Sequence, residues 1–493
     1  MDYNDELKAI LDISIALSAE KNRNKLFDMI ITRSMDISSC DAGTLYLLEN
    51  NTLVFTIMKT LSQNVDKGAD GEKIDIPPVE LKEENICAYA AIHRQVLNIP
   101  DVYDNDMFDF SGPKKYDAIT GYRTGSMLVI PLIDSEENVV GVLQLMNALD
   151  KDGKVIPFDE SVDRVIFALS SQAAIAVSNL RYRQELKDQM WSFTEAMAAA
   201  IDERTPYNAS HTRHVAGYCG LMADYINELH DKGLENEFFS ESRREQLVMG
   251  ALLHDIGKLV IPLSVMNKAT RLGDRYDTVV NRLETIALKA RIAKLENKLD
   301  DEKYDIICSR IKEAKQLISE VNSIGFLNDE IYERVLKISG YVYEDTDERI
   351  CFFTDEEKEC LKVRRGTLTE EERRIMESHV VITSKLLSKV HFNSYFINSP
   401  VWAGQHHECI NGSGYPNGLK GEELSVDARI MAVADICDAL LATDRPYKKP
   451  IPPEKAIAIM RDMAKDGKID GKLVEYMAEC LKRTDSSGEN GGE

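Results

Sequence analysis

Residues 161–200, in the middle of the chain, contain neither glycine nor proline. Their apolar side chains recur every three or four positions, which is the pattern of an amphipathic helix. This stretch therefore predicts one long linker helix between two folded parts of the chain. The residues that carry the pattern are Val162, Ile166, Leu169, Ala173, Ala176, Leu180, Met190 and Met197.

A helical apolar pattern sustained over so many turns is typical of a two-stranded coiled coil. We expect Leu169, Leu180 and Met190 to lie at the seam of a parallel homodimer. The alternative is one long helix packed on its own domain. We favour the dimer because the helix lies between two domains and has little else to cover it.

Residues 1–165 have the pattern of an α/β domain. An amphipathic helix is expected from Glu6 to Ile37, followed by short runs rich in β-branched residues and bounded by turn sequences. We expect these runs to form an antiparallel sheet. They are Thr44–Leu48, Thr52–Met58, Ser126–Ile133 and Val139–Asn147.

Beyond Ile201 the pattern is mostly helical. A stretch at about 270–365 is dense in Lys and Glu, and its apolar spacing predicts two helices of an αα-hairpin, which we interpret as an inserted arm. The tail, residues 484–493, is expected to be disordered. The predicted fold class is thus multidomain, with an α/β domain, a long helix and an all-α domain with a helical insertion.

The charge balance limits the possible partners. Sixty Lys and Arg against 83 Asp and Glu give a formal net charge of −23, which argues against a nucleic-acid polymer as partner.

Nine scattered cysteines without a CxxC pair are typical of the reduced cytoplasm. No apolar run approaches ~20 residues, and the start of the chain lacks the features of a signal peptide. We expect a soluble cytoplasmic protein without a membrane span.

Histidines and acids occur in a pattern that packing alone explains poorly. His254 and Asp255 follow an apolar helical turn, and Asp435 is a lone acid in an apolar run, which is costly unless the acid is paired or bound to a metal. Imidazole and carboxylate together suit Fe, Mn or Zn. Any one of these residues is more often structural than a ligand, so the set carries the argument. The other candidates are His211, His379, His406 and His407.

The segments around these residues are distinctive. They are Leu-Leu-His-Asp-Ile-Gly-Lys at 252–258, His-His-Glu-Cys-Ile-Asn-Gly-Ser-Gly-Tyr-Pro at 406–416 and Val-Ala-Asp at 433–435. Together they resemble the HD-GYP family of metal-dependent phosphohydrolases. The resemblance covers about 200 residues within a domain at 195–482, and it omits the predicted arm.

This resemblance implies two divalent metal ions, Fe or Mn, at which Asp255 is a bridging and catalytic ligand. Lys258 would be catalytic too, as a compact charge on the substrate phosphate. Tyr207 stands where some members carry a glutamate that helps to bind a third metal ion, so we expect two ions. The implied ligands are His211, His254, Asp255, His379, His406, His407 and Asp435. The implied substrate contacts are Lys258, Tyr415, Arg445 and Lys448.

The first domain resembles a GAF sensor domain. Asn147, then Lys151 to Gly153 and Phe158 to Glu160, are similar to the Asn-Lys-Phe-Asp-Glu signature of GAF domains that bind cyclic nucleotides. A cyclic nucleotide is therefore one candidate for a ligand that is otherwise unknown. The alternative is that these residues only cap the last strand and start the linker helix, where acidic residues are favourable anyway.

The resemblances imply hydrolysis of cyclic di-GMP to pGpG and then GMP, regulated by the N-terminal GAF domain. One alternative is a catalytically silent receptor that binds a cyclic dinucleotide and signals through the arm. The other is a phosphodiesterase for a different nucleotide, such as cyclic GMP-AMP. We rank the silent receptor lower because all the ligand positions are filled.

Overall fold

The structure is a computed structural model, and it describes residues 15–17, 19–20, 22–68, 74–204, 210–345, 348–392, 395–442 and 451–488. Contacts divide the chain into two units, Met1–Gln189 and Met190–Glu493. Among the described helices, none is long and apolar enough to cross a membrane.

An antiparallel sheet forms the centre of the first unit. Its main path has the strand order β3-β2-β1-β7-β6-β5, with β4 beside β2 and β8 beside β7. The four strands expected from the sequence are β1, β2, β6 and β7. The strands are β1 (Cys40–Glu49), β2 (Thr52–Thr60), β3 (Val65–Lys67), β4 (Val79–Glu80), β5 (Leu97–Ile99), β6 (Met127–Ile133), β7 (Val139–Leu149) and β8 (Val155–Ile156).

Helices cover both faces of this sheet. Alternate residues of β1 point to opposite faces, so Leu45 and Leu47 pack with α1 and α4, whereas Tyr46 packs with α2. The strand is buried along almost its whole length for this reason. The helices of this unit are α1 (Arg23–Ser38), α2 (Ile86–His93), α3 (Ser111–Thr120) and the first part of α4 (Glu160–Arg204).

The helix expected from Glu6 to Ile37 is interrupted. Helix α1 begins only at Arg23, because the Asn22 side chain accepts a hydrogen bond from the Lys25 amide (3.1 Å) and caps the helix, while Glu20 is not helical. Residues 1–14, 18 and 21 lie outside the described part of the chain.

The long linker helix is observed as α4, but its predicted dimer seam is wrong. Leu169 is 1% exposed in the core of the first unit, and Leu180 packs against the same core. Met190 packs against a core of the second unit. Leu169 is therefore covered within its own unit, as the alternative interpretation expected, and Leu180 and Met190 are partly covered.

The second unit is helical. The predicted hairpin of the arm consists of α8 and α9, and the arm continues through a further helix, a small β-hairpin and α11, around a core of its own. The last helix extends to Gly488, beyond the predicted start of disorder at Thr484. The elements are α5 (His211–Asp231), α6 (Glu241–Leu253), α7 (Leu263–Met266), α8 (Tyr276–Leu295), α9 (Asp301–Val321), α10 (Asp329–Ser339), β9 (Val342–Glu344), β10 (Arg349–Cys351), α11 (Asp355–Leu361), α12 (Glu370–Leu387), α13 (Ser399–Ala403), α14 (Val426–Leu441), α15 (Pro453–Lys465) and α16 (Gly471–Gly488).

The base of the arm is tied to helix α12. The Lys268 ammonium donates to both carboxylate oxygens of Glu372, in the first turn of α12, at 2.8 and 2.6 Å. The buried Arg271 donates to the backbone carbonyls of Val321 (2.6 Å) and Val363 (2.9 Å). The Lys268 bonds thus hold the start of the helix that carries His379, and the Arg271 bonds hold segments of the arm together.

Candidate metal centre

The structure brings together all seven side chains that the sequence predicts as metal ligands. His211 is the first residue of α5, and His254 and Asp255 follow the last residue of α6. His379 lies on α12, and Asp435 lies on α14. The pair His406 and His407 follows α13. All except His407 are buried.

Asp255 lies between two groups of histidines. Its Oδ2 is 3.5 Å from His211 Nε2 and 3.2 Å from His254 Nε2. Its Oδ1 is 3.4 Å from His379 Nε2 and 3.9 Å from His406 Nε2. The two oxygens of one carboxylate thus face two separate sets of nitrogen atoms, which is the geometry that a bridging ligand requires.

Asp435 also reaches both sets. Its Oδ1 is 3.2 Å from His211 Nε2, and its Oδ2 is 3.8 Å from His407 Nδ1. The ring centroids of His406 and His407 are 4.2 Å apart, so the two neighbouring imidazoles belong to the same side of the centre. The seven side chains therefore form one cluster, in which Asp255 lies between the two groups of histidines.

Three of the histidines are oriented by the same kind of hydrogen bond to a backbone carbonyl. His254, His379 and His406 each have Nδ1 at 2.6–2.7 Å from the backbone carbonyl three residues earlier. A carbonyl only accepts, so Nδ1 carries the hydrogen and the Nε2 lone pair points to the centre. This tautomer is the one that a metal ligand needs.

Burial and neighbouring charges set the protonation of the site. Burial alone would raise the pKa of Asp255, but His254 and Lys258 hold it well below its usual range. Burial lowers the pKa of His379 to about 4 and also lowers the pKa of His406. For His211 burial is outweighed by Asp435 and Asp438, which raise its pKa to about 10. The centre thus combines anionic carboxylates, the neutral imidazoles of His379 and His406, and a protonated His211 whose Nε2 proton a metal ion would replace.

The donor set fits divalent cations. Among the described residues, two buried atoms in the middle of the site, His254 Nε2 and Asp255 Oδ1, find no hydrogen-bond partner. Ligand atoms of His211, His254 and Asp255 lie within 4.8 Å of one another, and so do those of His379, His406 and His407. Imidazole and carboxylate in this ratio suit Fe, Mn or Zn, and an ion in each group would satisfy the two unpaired atoms.

A close helix contact holds the turn that follows His254. The Thr383 hydroxyl of α12 donates to the His254 carbonyl (3.0 Å) and accepts from the Gly257 amide (3.0 Å). A Cβ on Gly257 would lie 1.9 Å from the His379 carbonyl oxygen. Glycine therefore lets this turn touch α12, and the contact sets the position of His379 relative to Asp255.

The loop at 411–420 lies beside the centre and presents Tyr415. The centroid of the Tyr415 ring is 4.9 Å from that of the His407 ring, and the Tyr415 amide donates to the His407 carbonyl (3.1 Å). The buried Glu408 carboxylate accepts from the amides of Asn417 (2.7 Å) and Leu419 (3.0 Å). Burial raises the pKa of the Tyr415 hydroxyl. The His-His-Glu segment thus holds the loop as well as the ligands.

The other predicted contacts divide into two cases. Lys258 Nζ lies 2.5 Å from Asp255 Oδ2, and its side chain is 19% exposed, so the ammonium is next to the centre and reachable from solvent. Arg445, Lys448 and Tyr207 lie outside the described part of the chain.

Family models match both halves of the chain. Residues 22–177 match the GAF domain, and residues 208–338 and 358–473 match two models of the HD domain. The chain contains a GAF domain and an HD domain. All seven candidate ligands fall within the two matched HD segments.

Three curated relatives align with parts of the chain. The 3'3'-cGAMP-specific phosphodiesterase 3 of Vibrio cholerae is 43% identical over 20% of this chain and 20% of its own length. The cyclic di-GMP phosphodiesterase response regulator RpfG of Xanthomonas campestris is 43% identical over 20% of this chain and 25% of its own length. The cyclic di-GMP phosphodiesterase of Thermotoga maritima is 30% identical over 34% of this chain and 49% of its own length. The chain thus spans half or less of the length of these three relatives.

The Asn147 side chain of the GAF domain bonds to the backbone of a neighbouring segment. It adopts a left-handed backbone conformation (φ 58°), and its side-chain oxygen accepts from the Gly125 amide (2.6 Å). Its side-chain nitrogen donates to the Arg123 carbonyl (2.8 Å). Asn147 therefore holds the segment before β6, and a GAF ligand stays a prediction.

Three residues of the HD domain were missed by sequence reasoning. They are Thr383 and Glu408, described above, and Asp438, whose carboxylate contacts His211. Thr383 and Asp438 lie one helical turn after the predicted ligands His379 and Asp435, and Glu408 directly follows the histidine pair. Residues one turn apart share a helix face, so this spacing was the available signal.

Proposed function

We propose that the HD domain hydrolyses the phosphodiester bonds of a cyclic dinucleotide, with cyclic di-GMP converted to pGpG and then GMP. The observation that carries this proposal is Asp255 between two groups of buried histidines. The Gly-Tyr-Pro segment at 414–416 beside the centre, and relatives named for cyclic di-GMP and 3'3'-cGAMP, also support it.

The seven ligands would hold two divalent ions, Fe or Mn. Such ions supply Lewis-acid activation of water and of the phosphate. Two side chains of the protein have further roles. Asp255 would keep the two metal positions close together, and the Lys258 ammonium would bind a non-bridging oxygen of the substrate phosphate. Tyr415 offers an aromatic face next to His407 on which a guanine base can stack. Arg445 and Lys448 remain proposed contacts to the nucleotide.

Turnover by the full chain tests this function. Metal-stripped protein is loaded anaerobically with Mn²⁺ or Fe²⁺ and given cyclic di-GMP or 3'3'-cGAMP, and the products are separated by chromatography. We expect pGpG and GMP from cyclic di-GMP. Faster turnover of 3'3'-cGAMP would transfer the proposal to that substrate. Binding of either dinucleotide without any product would favour the silent receptor.

Replacing Lys258 by alanine should lower turnover about 10²-fold without loss of metal, because the ammonium serves the phosphate rather than the ions. Turnover and metal content are measured on the same preparation. Lys358→Ala is the matched control, since Lys358 pairs with Asp355 (2.8 Å) at the same three-residue spacing but lies in the arm. Loss of metal from Lys258→Ala would refute the assigned role.

We propose that the chain forms a homodimer through a second apolar face of α4. Ile175, Tyr182, Leu186 and Phe193 are each at least 37% exposed. At 3.6 residues per turn they fall within about 40° of one another around the helix, and Leu169 lies about 120° from Ile175. Seven residues separate Ile175 from Tyr182 and Leu186 from Phe193, and this repeat fits an identical helix as partner.

The double variant Tyr182→Lys with Leu186→Lys should be monomeric, because it adds four charges to the proposed seam of the dimer. Light scattering gives the mass in solution. Leu61→Lys is the control, since Leu61 is 67% exposed in the turn after β2 and should leave the dimer intact. Dimers that persist in the double variant would contradict this seam.

We also propose that the GAF domain regulates the HD domain. Helix α4 supports this because it runs without interruption from Glu160 to Arg204 and has residues in both units. Cyclic nucleotides are the first ligands to test, by their effect on turnover of the full chain.

A further inference from the structure

Asp438 is a buried carboxylate that lies between two histidines of the same helix. Its Oδ2 is 2.6 Å from His211 Nδ1, and its Oδ1 is 3.0 Å from His214 Nδ1. The side chain of Asp438 is 6% exposed, whereas that of His214 is 59% exposed. Both carboxylate oxygens accept, so each imidazole carries its hydrogen on Nδ1.

His211 differs from the other oriented ligands in its place on the helix. His254, His379 and His406 each use the backbone carbonyl three residues earlier. His211 is the first residue of α5, so no turn of its own helix precedes it, and its Nδ1 contacts a side chain of another helix. Asp438, one turn beyond the ligand Asp435 on α14, supplies the acceptor instead.

We propose that Asp438 is a positioning residue of the metal centre, which keeps His211 Nε2 directed at the ions, and that His214 holds its carboxylate in place. This inference rests on the proposed metal centre. A carboxylate accepts a stronger hydrogen bond than a carbonyl does, so it fixes the ring and makes Nε2 a better donor to a metal ion. His214 occupies the second oxygen, which prevents the carboxylate from rotating away from His211.

A purely structural role would instead be to tie α5 to α14. The two roles differ in what they affect: positioning changes the affinity for metal, whereas a tether changes only the stability of the fold. Asp427 offers a matched control because it is also buried on α14. It accepts two hydrogen bonds from Arg243 at 2.9 Å and contacts none of the seven ligands.

The experiment measures Mn²⁺ binding to the metal-stripped full chain by titration calorimetry, together with thermal unfolding. We expect Asp438→Ala to weaken Mn²⁺ binding about 10- to 100-fold. Asp438→Asn should lose less, because its amide oxygen still accepts one hydrogen bond but carries no charge. His214→Ala should lose less than Asp438→Ala. Asp427→Asn should unfold at a lower temperature and bind Mn²⁺ as the parent does.

Wild-type affinity for Mn²⁺ in both Asp438 variants would overturn the inference. An equal loss of affinity in Asp427→Asn would also overturn it, since the effect would then follow stability. A parent chain that binds no Mn²⁺ would overturn both the inference and the metal centre. A parent chain that binds Mn²⁺ but hydrolyses no cyclic dinucleotide would overturn only the proposed function, and the binding data would still support the role of Asp438.

Discussion

Replacing Asp255 by alanine should abolish hydrolysis and empty the metal centre. Each oxygen of this carboxylate faces a different group of histidines, at 3.2–3.5 Å for the nearest nitrogen atoms. Without the carboxylate the two positions lose a shared ligand and the negative charge that offsets the repulsion between two cations. We expect turnover to fall at least about 10³-fold, because both the geometry and the activation of water depend on this group.

Elemental analysis of anaerobically purified protein tests the predicted loss of metal. The parent chain should contain about two Fe or Mn ions, and Asp255→Ala should contain fewer. Asp427→Asn again serves as the control, since it removes a buried carboxylate away from the ligands and should keep the ions. Two ions retained by Asp255→Ala would contradict the bridging role. Three ions in the parent would refute the argument from Tyr207.

The ligand set could be predicted from the sequence because its members are chemically unusual in their surroundings. A histidine and an aspartate at the end of an apolar helical turn, or an acid within the apolar run of α14, are costly to bury without a partner. The structure brings these residues together from three helices and from the turns that follow two others. The pattern did not specify which oxygen of Asp255 faces which histidine, since that depends on how the helices pack.

The dimer seam was wrong for a physical reason. Helical periodicity identifies an apolar face, but it does not identify what covers that face. Helix α4 has two such faces, and the one with Leu169 and Leu180 is buried by its own unit. The more exposed Ile175 and Leu186 lie on the other face. The short strands β3, β4, β5 and β8 were missed because two or three residues are too few to carry a period, so their neighbours in the sheet determine them.

Gly257→Ala should disable the centre although it replaces none of the seven ligands. An added Cβ would lie 1.9 Å from the His379 carbonyl oxygen and 2.8 Å from the Thr383 amide nitrogen. Both are backbone atoms of α12, so no flexible side chain can move aside, and the turn and the helix must separate. Such overpacking typically costs about 1–3 kcal/mol of stability. A shift of about 1 Å in His379 relative to Asp255 is enough to lower turnover about 10²-fold.

Turnover, Mn²⁺ affinity and thermal unfolding of Gly257→Ala should therefore all be lowered. Gly217→Ala is the matched control, because among the described residues the added Cβ meets no atom within 4 Å beyond the local backbone of its own helix α5. Alanine there should stabilise the helix by up to about 1 kcal/mol and leave turnover unchanged. If Gly257→Ala bound Mn²⁺ and turned over like the parent, the contact between this turn and α12 would not set the position of His379. The position of His379 would then have to be fixed by other contacts of α12, such as the bonds from Lys268 to Glu372.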